Sequence, residues 1–358
     1  MAFIPTVETI GDAALATSII DRSITELQDS TAVTLQSYSL ASCSSLKKAA
    51  FSEVTEVLNH SFDGCEALET LDFHATVEFD ASALQGLSSL EALILRSDTM
   101  CDASSSAVLS YTPIADGTGY IYVPAALEDS YKHDFVWGSY ADQIRAIEDY
   151  PLIDNKYSWE TVQWSMDNGT YATDYAIGDC VPLDLGSEGV VNMQIAAFDV
   201  DDLAGGSGKA KISWVSKEAL SYNSNATANM GSGSNWDTST VRATLENLVK
   251  PLLNETVASR IVAVRKPFVK YNAGLVTETV SDVLWIPSYT EVYNSGIYTA
   301  LFRDDESRVK RTTTGNNAEW WLRDKVTQYN YYTVNTKGAS ASKNCIYANR
   351  IVFGFCTN

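Results

Sequence analysis

The chain has 358 residues, enough for two domains and at most three. Apolar residues make up 45% of it, which supports packed cores and excludes a wholly disordered chain. The formal net charge of −20 argues against a protein that grips a nucleic-acid backbone. No run approaches the ~20 apolar residues of a membrane-spanning helix, so no membrane insertion is expected.

The opening MAFIPTVETIGDAALATS has no basic start and no long apolar run, so it does not read as a secretory signal. Charge is divided unevenly. Residues 1–151 hold 6 Lys and Arg against 23 Asp and Glu, and residues 152–358 hold 19 against 22. Tryptophan is divided the other way, with only Trp137 in the first half. Two differently built domains therefore meet near Asp149-Tyr150-Pro151, giving spans of 1–150 and 151–358. The three histidines, His60, His74 and His133, all lie in the first. Histidine-based acid–base or zinc chemistry cannot be built in the second. The six cysteines form no CxxC pair and, without an export signal, are expected to be buried thiols rather than disulfides.

The first domain repeats every 22 residues. Leu40, Phe62 and Leu84 fall in register, as do Cys43, Cys65 and Leu87; Leu46, Leu68 and Leu90; Phe51, Phe73 and Leu95; and Leu35, Val57 and Phe79. Each unit is too small to bury its own apolar face, so stacking must supply the core. LETLDF and LEALIL alternate as short strands, each after a turn of the SFDGC type. The cysteine column reads as a small buried hydrophobe ahead of any metal or redox role. The first unit, IIDRSITELQDSTAV, is degenerate, and the segment from TGYIYVP to IEDYP abandons the repeat. Tyr131, Trp137, Tyr140 and Ile144 are expected to close the apolar end of the stack.

The pattern AF-x-x-C-x-x-L followed by a strand resembles the BspA-like class of leucine-rich repeats over about residues 15–124, with 22-residue units at about 30–100. The resemblance implies a solenoid that acts as a spacer, an assembly surface or a recognition surface. The terminal YIYVP segment resembles the cap of such proteins from gut bacteria and their phages.

After the linker YPLIDNKYSW, YAIGDCVPLDLG predicts a hairpin turning at Gly178-Asp179, and VVNMQIAAFDV a further strand. Asp237 precedes Val241, Leu245, Leu248 and Val249 at helical spacing, with Pro251 as the stop. RIVAV and VLWIP are short strands, the second ending at Pro287. Ser288 with Glu291 forms a capping box for a second helix. Trp320–Arg323, Tyr331–Val334 and Ile351–Phe355 supply the closing strands of a mixed α+β domain.

The order LWIPS, WWLR, YTVN and IVFGF resembles the terminal half of C-type-lectin-like folds. GDCVPLDLG, MQIAAFDVDDLAGGSGKAKISW and the later WDTSTVRATL carry a closer resemblance, over residues 159–356, to an uncharacterised family of phage and gut-bacterial proteins often appended to BspA-like repeats. The fold this implies is a multi-domain α+β protein: a leucine-rich repeat solenoid followed by a C-type-lectin-like binding platform. The Glu-Pro-Asn, Gln-Pro-Asp and Trp-Asn-Asp motifs of calcium-dependent sugar binding are missing, so calcium-mediated binding is not expected. Asp199, Asp201 and Asp202 lack an EF-hand glycine and glutamate and read as turn caps or partners of Lys209 or Lys211. Gly208-Lys209 lacks the other residues of a P-loop, and no G-x-S-x-G elbow is present. No enzyme activity, cofactor or metal is expected.

Residues 324–349 combine tyrosine, asparagine, serine and threonine in the proportions of a paratope. The candidate ligand contacts are Tyr329, Asn330, Tyr331, Tyr332, Asn335, Asn344, Tyr347 and Asn349, with Trp320 or Trp321 as an aromatic anchor. The same alternation fits an ordinary strand with Tyr331 and Thr333 buried, and neighbouring tryptophans on a strand point opposite ways. The segment also resembles the variable region of proteins diversified by retroelements. Together the resemblances imply a phage structural protein of the tail tip that binds a host-cell receptor, glycan or protein. Such a protein contacts other virion proteins and is expected to be a homo-oligomer. A bacterial surface adhesin and a capsid decoration or head-fibre protein are the alternatives.

Overall fold

The computed structural model describes residues 24–358 except 31, 187–188, 221–228, 295–296 and 313, together with the short strands Ala2–Phe3 and Thr9–Ile10. The start of the degenerate repeat, residues 19–23, lies outside the described residues. The chain is mixed α+β, rich in short strands, and divides into two compact units, Met1–Asp154 and Asn155–Asn358.

In the first unit, Glu26–Asp29, Lys48–Phe51, Thr70–Phe73 and Ala92–Leu95 pair in parallel, each residue with the one 22 positions on. Tyr120–Val123 and Ile144–Ala146 extend this sheet. A second parallel sheet is built from two-residue strands, among them Thr34–Leu35, Glu56–Val57 and Glu78–Phe79. One apolar core holds the repeating columns, Leu40, Phe62 and Leu84 among them. Alternation along each strand sends every second side chain inward, as in Thr70–Phe73, where Leu71 and Phe73 are buried. At the end of the stack the helix Ala125–His133 supplies Tyr131 and the following 3-10 turn supplies Trp137, both buried. The backbone N–H of Cys101 donates to the Tyr131 hydroxyl at 2.6 Å, and Trp137 Nε1 donates to the Cys101 carbonyl at 2.9 Å. These two rings thus cap the last repeat with polar bonds as well as apolar surface.

In the second unit the main sheet is antiparallel. Cys180–Asp184, Val190–Phe198, Ile212–Ser216, Gly354–Thr357 and Ile261–Val262 lie side by side, and Leu284–Trp285 also pairs with the Gly354 strand. Gly354 must be glycine: a Cβ there would lie 2.5 Å from the Trp214 carbonyl and from the Trp285 ring. A two-stranded ribbon, Val264–Tyr271 with Leu275–Asp282, and two three-stranded sheets, one of Trp320–Lys325, Asn330–Val334 and Ser340–Asn344 and one of Glu218–Ala219, Lys310–Thr312 and Asn317–Ala318, join the scaffold.

Three local expectations are corrected. The hairpin does not turn at Gly178-Asp179. Thr170 and Asp174 close a short helix, Tyr171–Asp174, and the Tyr175 ring is buried with its hydroxyl on the Lys156 carbonyl. The strand Cys180–Asp184 then pairs with Val190–Phe198. The helical stretch expected after Asp237 is capped by Ser239, two residues further on. It widens to a π-turn at Leu245–Val249 and runs into the 3-10 turn Lys250–Leu252, because Pro251 brings no N–H to continue the α pattern. Finally, Asp202 does pair with Lys209, at 2.6 Å, but Asp201 turns inward to Lys266, and Lys211 donates to the Met166 carbonyl.

Candidate functional site

The candidate surface is one face of the three-stranded sheet that begins with Trp320–Lys325. Asn330 lies opposite Asn344, and Tyr332 opposite Ser342. Residues two apart on a strand share a face, so Asn330, Tyr332, Ser342 and Asn344 lie together. All four are partly or fully exposed. At the end of the sheet the Cys345 N–H donates to the Tyr329 carbonyl at 2.7 Å, bringing two turns together. Tyr329 and Tyr347 stand out from these turns at 51% and 60% exposure.

Two further tyrosines join this face from the helix Tyr289–Tyr293. The rings of Tyr332 and Tyr289 are 4.2 Å apart, and those of Tyr289 and Tyr293 are 5.1 Å apart and stacked. The Arg308 guanidinium covers the Tyr293 ring at 4.6 Å and is paired with Asp305 at 2.8 Å. The Tyr293 hydroxyl donates to the Gly338 carbonyl at 2.8 Å, and burial raises its pKa above the usual phenol value. The result is a row of three half-exposed phenol rings beside amides and hydroxyls.

The row is held from below by charge. Arg323 and Asp324, consecutive on the strand Trp320–Lys325, both grip the helix. Arg323 Nη1 and Nη2 donate to the two Glu291 oxygens at 2.6 and 2.7 Å, and Asp324 Oδ2 accepts from the Tyr289 N–H at 2.7 Å. Asp324 Oδ1 accepts from Val269 N–H, tying in the ribbon. Lys266 joins Glu291 at 3.2 Å to Asp201 at 2.5 Å and lies over the Trp285 ring at 3.6 Å. The Tyr298 hydroxyl also donates to Asp201. Every member is buried. Burial opposes the Glu291 charge, but Arg323 and Lys266 outweigh it and hold its carboxyl at about 2. Burial prevails at Asp324, whose pKa is raised despite Arg323 and two N–H donors. Satisfied bidentate pairs of this kind fix the orientation of the elements they join.

The structure places the sequence-derived residues in three groups. Asn330, Tyr332 and Asn344 share the exposed face described above, while Tyr329 and Tyr347 are exposed on the turns at its end. Asn335 lies at the other end of the hairpin, where its Oδ1 accepts from the Lys337 and Ala339 N–H groups and so holds the turn. Trp320, Tyr331 and Asn349 are buried, which removes them from the contact surface. Tyr331 packs edge-on against Trp321, also buried, and its hydroxyl donates to the Ser234 carbonyl at 2.7 Å. Trp320 donates to the Arg308 carbonyl, and Asn349 Oδ1 accepts from the Arg350 N–H. Sequence reasoning missed Tyr289 and Tyr293. Their i, i+4 spacing behind the Ser288 capping box was the available signal. It also missed the buried network, whose signal was three consecutive charges, Arg323-Asp324-Lys325, inside an apolar strand.

A groove of about 390 Å³ lies elsewhere in the second unit, between the helix Thr240–Thr244 and residues 281–284. Its Arg242 is committed to Asp282 at 2.7 Å, and Asp282 also accepts from Trp236 Nε1. Among the described residues no group of three or more His, Cys, Asp and Glu side chains could hold a metal ion, and no helix is long and apolar enough to cross a membrane.

Residues 213–352 match a family described as a domain of unknown function, DUF6273. That span contains the ribbon, the capping-box helix and both three-stranded sheets. The chain has no match among curated proteins.

Proposed function

We propose that this chain is a non-catalytic recognition protein that binds a cell-surface receptor, glycan or protein, through the tyrosine-lined face of its second unit. One observation carries the reading: Tyr332, Tyr289 and Tyr293 form a ring row beside Asn330, Asn344 and Ser342 on a sheet held by buried ion pairs, with Tyr329 and Tyr347 exposed on the turns at the sheet's end. Rigid amphipathic rings with adaptable hydrogen-bonding neighbours are the composition of a paratope, and a fixed scaffold lowers the entropy lost on binding.

In this reading the first unit is a BspA-like leucine-rich repeat solenoid, supported by the 22-residue parallel register, and serves as spacer or assembly part. The second unit is a C-type-lectin-like domain, supported by the Ser288 capping box followed by the WWLR strand. The setting that suits a spacer joined to a receptor reader is a phage tail tip, as a homo-oligomer among other virion proteins. Binding needs no calcium.

The test is saturable binding of the recombinant chain to a panel of intact bacteria, with and without EDTA, beside a Tyr329→Ala/Tyr332→Ala/Tyr347→Ala variant. The expected result is EDTA-insensitive binding that falls at least tenfold in the variant while its circular dichroism is unchanged. Undiminished binding by the folded variant would overturn the site. Failure of the folded wild-type chain to bind any cell would overturn the receptor reading in favour of a decoration or assembly role.

A further inference from the structure

We propose that Cys43 and Cys65 are a modification site: in an oxidising environment they join as a disulfide that staples two successive repeats of the first unit. The proposal is independent of what the second unit binds.

The two cysteines occupy the same position of the same turn. Cys43 N–H donates to the Leu40 carbonyl and Leu46 N–H to the Cys43 carbonyl; one repeat on, Cys65 N–H donates to Phe62 and Leu68 N–H to Cys65. The turns are bonded to each other, with Leu40 N–H on the Ser61 carbonyl and Ser42 N–H on the Asp63 carbonyl. Residues 22 apart therefore stack directly. Tyr38 and His60 are 5.4 Å apart ring to ring, as are Phe51 and Phe73. Backbones approach closely beside the thiols, since a Cβ on Gly64 would lie 3.4 Å from Ser42 Cα. Neighbouring parallel strands lie ~4.8 Å apart, inside the ~4.4–6.8 Å range of Cα separations that a disulfide spans. The side chains point the right way: Cys65 Sγ is 3.1 Å from the Leu40 carbonyl, in the preceding turn, and hydrogen-bonds the Cys43 side chain.

Both residues are thiols in the structure, and both are buried. The contact with Cys43 raises the Cys65 pKa and burial adds to it, so the closed core does not favour a reactive thiolate. Oxidation belongs to folding, before the turns close, and the finished bond is then shielded from reductant. The next turn carries Leu87 in this column, so the staple joins one pair of repeats only. The step balances by exchange with a small-molecule disulfide such as oxidised glutathione. Two S–H bonds break, one S–S bond forms between Sγ atoms, and the glutathione disulfide leaves as two thiols.

The full chain, denatured and reduced, is refolded in a glutathione/glutathione disulfide mixture or in a phosphine reductant. It is then alkylated with N-ethylmaleimide under denaturing conditions. The oxidised sample is expected to take four adducts in place of six, and trypsin should release residues 23–47 linked to residues 49–96, each peptide holding one cysteine. The first unit should melt roughly 5–10 °C higher, a shift that reductant abolishes. Cys43→Ala should take five adducts in either buffer and show no shift. If that variant does not fold, the tryptic map of the wild-type chain decides alone. Six adducts on the oxidised, folded wild-type chain would overturn the proposal, as would a bond that joins other cysteines.

Discussion

Lys310 is a buried amine with no carboxylate on it. It is 2% exposed, and its Nζ donates to Gln194 Oε1 at 3.0 Å and to the Ser216 carbonyl at 2.8 Å. Burial, opposed only in part by Glu218 and Cys180, brings its pKa from 10.5 down to about 7. The folded amine is thus neutral over a range where the unfolded one is still charged. Below about pH 7 both states hold the proton, and the full penalty of about 5 kcal/mol is present. Between pH 7 and 10.5 the unfolded chain binds more protons than the folded one, so stability rises with pH. Across pH 7 to 9.5, before tyrosines ionise, the gain is about 3 kcal/mol. Lys310→Met removes the charge but leaves two acceptors without their donor, a cost of about 1–3 kcal/mol. The variant is therefore expected to be more stable than wild type near pH 7, with that advantage shrinking by about 3 kcal/mol by pH 9.5. Urea unfolding followed by tryptophan fluorescence reads this in the right unit, since seven of the eight tryptophans lie beyond residue 155. Parallel pH profiles for the two proteins would refute the reasoning, because Lys310 would then be charged or neutral alike in both states.

The buried pair beneath the candidate surface gives two further expectations. Arg323→Met leaves Glu291 with Lys266 as its one counter-charge beside the Ser288 N–H and should cost about 3–5 kcal/mol in urea unfolding, part of it recovered in Arg323→Met/Glu291→Gln. Glu291, held at about 2 in the folded state, contributes stability above the ordinary carboxyl range that is lost as pH falls from about 4.5 toward 2, so Glu291→Gln should flatten that part of an acid titration. Gly338 has φ +84°, and a Cβ there would lie 1.7 Å from the Asp305 carbonyl oxygen. Gly338→Ala should destabilise the second unit by more than about 2 kcal/mol and release the Tyr293 hydroxyl, seen as faster exchange of the hairpin amides at Asn335–Ala339.

Tyrosine and asparagine content alone pointed to residues 324–349, but it could not separate surface from core. Tyr331 and Tyr332 are adjacent and chemically identical, yet one is buried against Trp321 and the other faces outward onto Tyr289. Alternation said that they would part company; which one went inward shows only in the fold, where the Tyr331 ring meets Trp321 and its hydroxyl the Ser234 carbonyl, distant in sequence. The asparagines divide for a related reason. Asn335, Asn344 and Asn349 each spend a side-chain oxygen on a nearby backbone N–H, a local use that composition does not distinguish from ligand contact.

The sequence by itself determined whatever depends on near neighbours or on strict period. The 22-residue register, the buried columns of Leu, Phe and Cys, and the Ser288–Glu291 cap all follow from spacing, because stacked units and single turns bring together residues at fixed offsets. Only the tertiary structure decided the pairings of charge: Lys266 with Asp201 across 65 residues, and Arg323 with Glu291 across 32. No local preference places a charge in a core. Each is tolerated there only because a distant strand or helix delivers its counter-charge within bonding distance, and that delivery is a property of the packed fold.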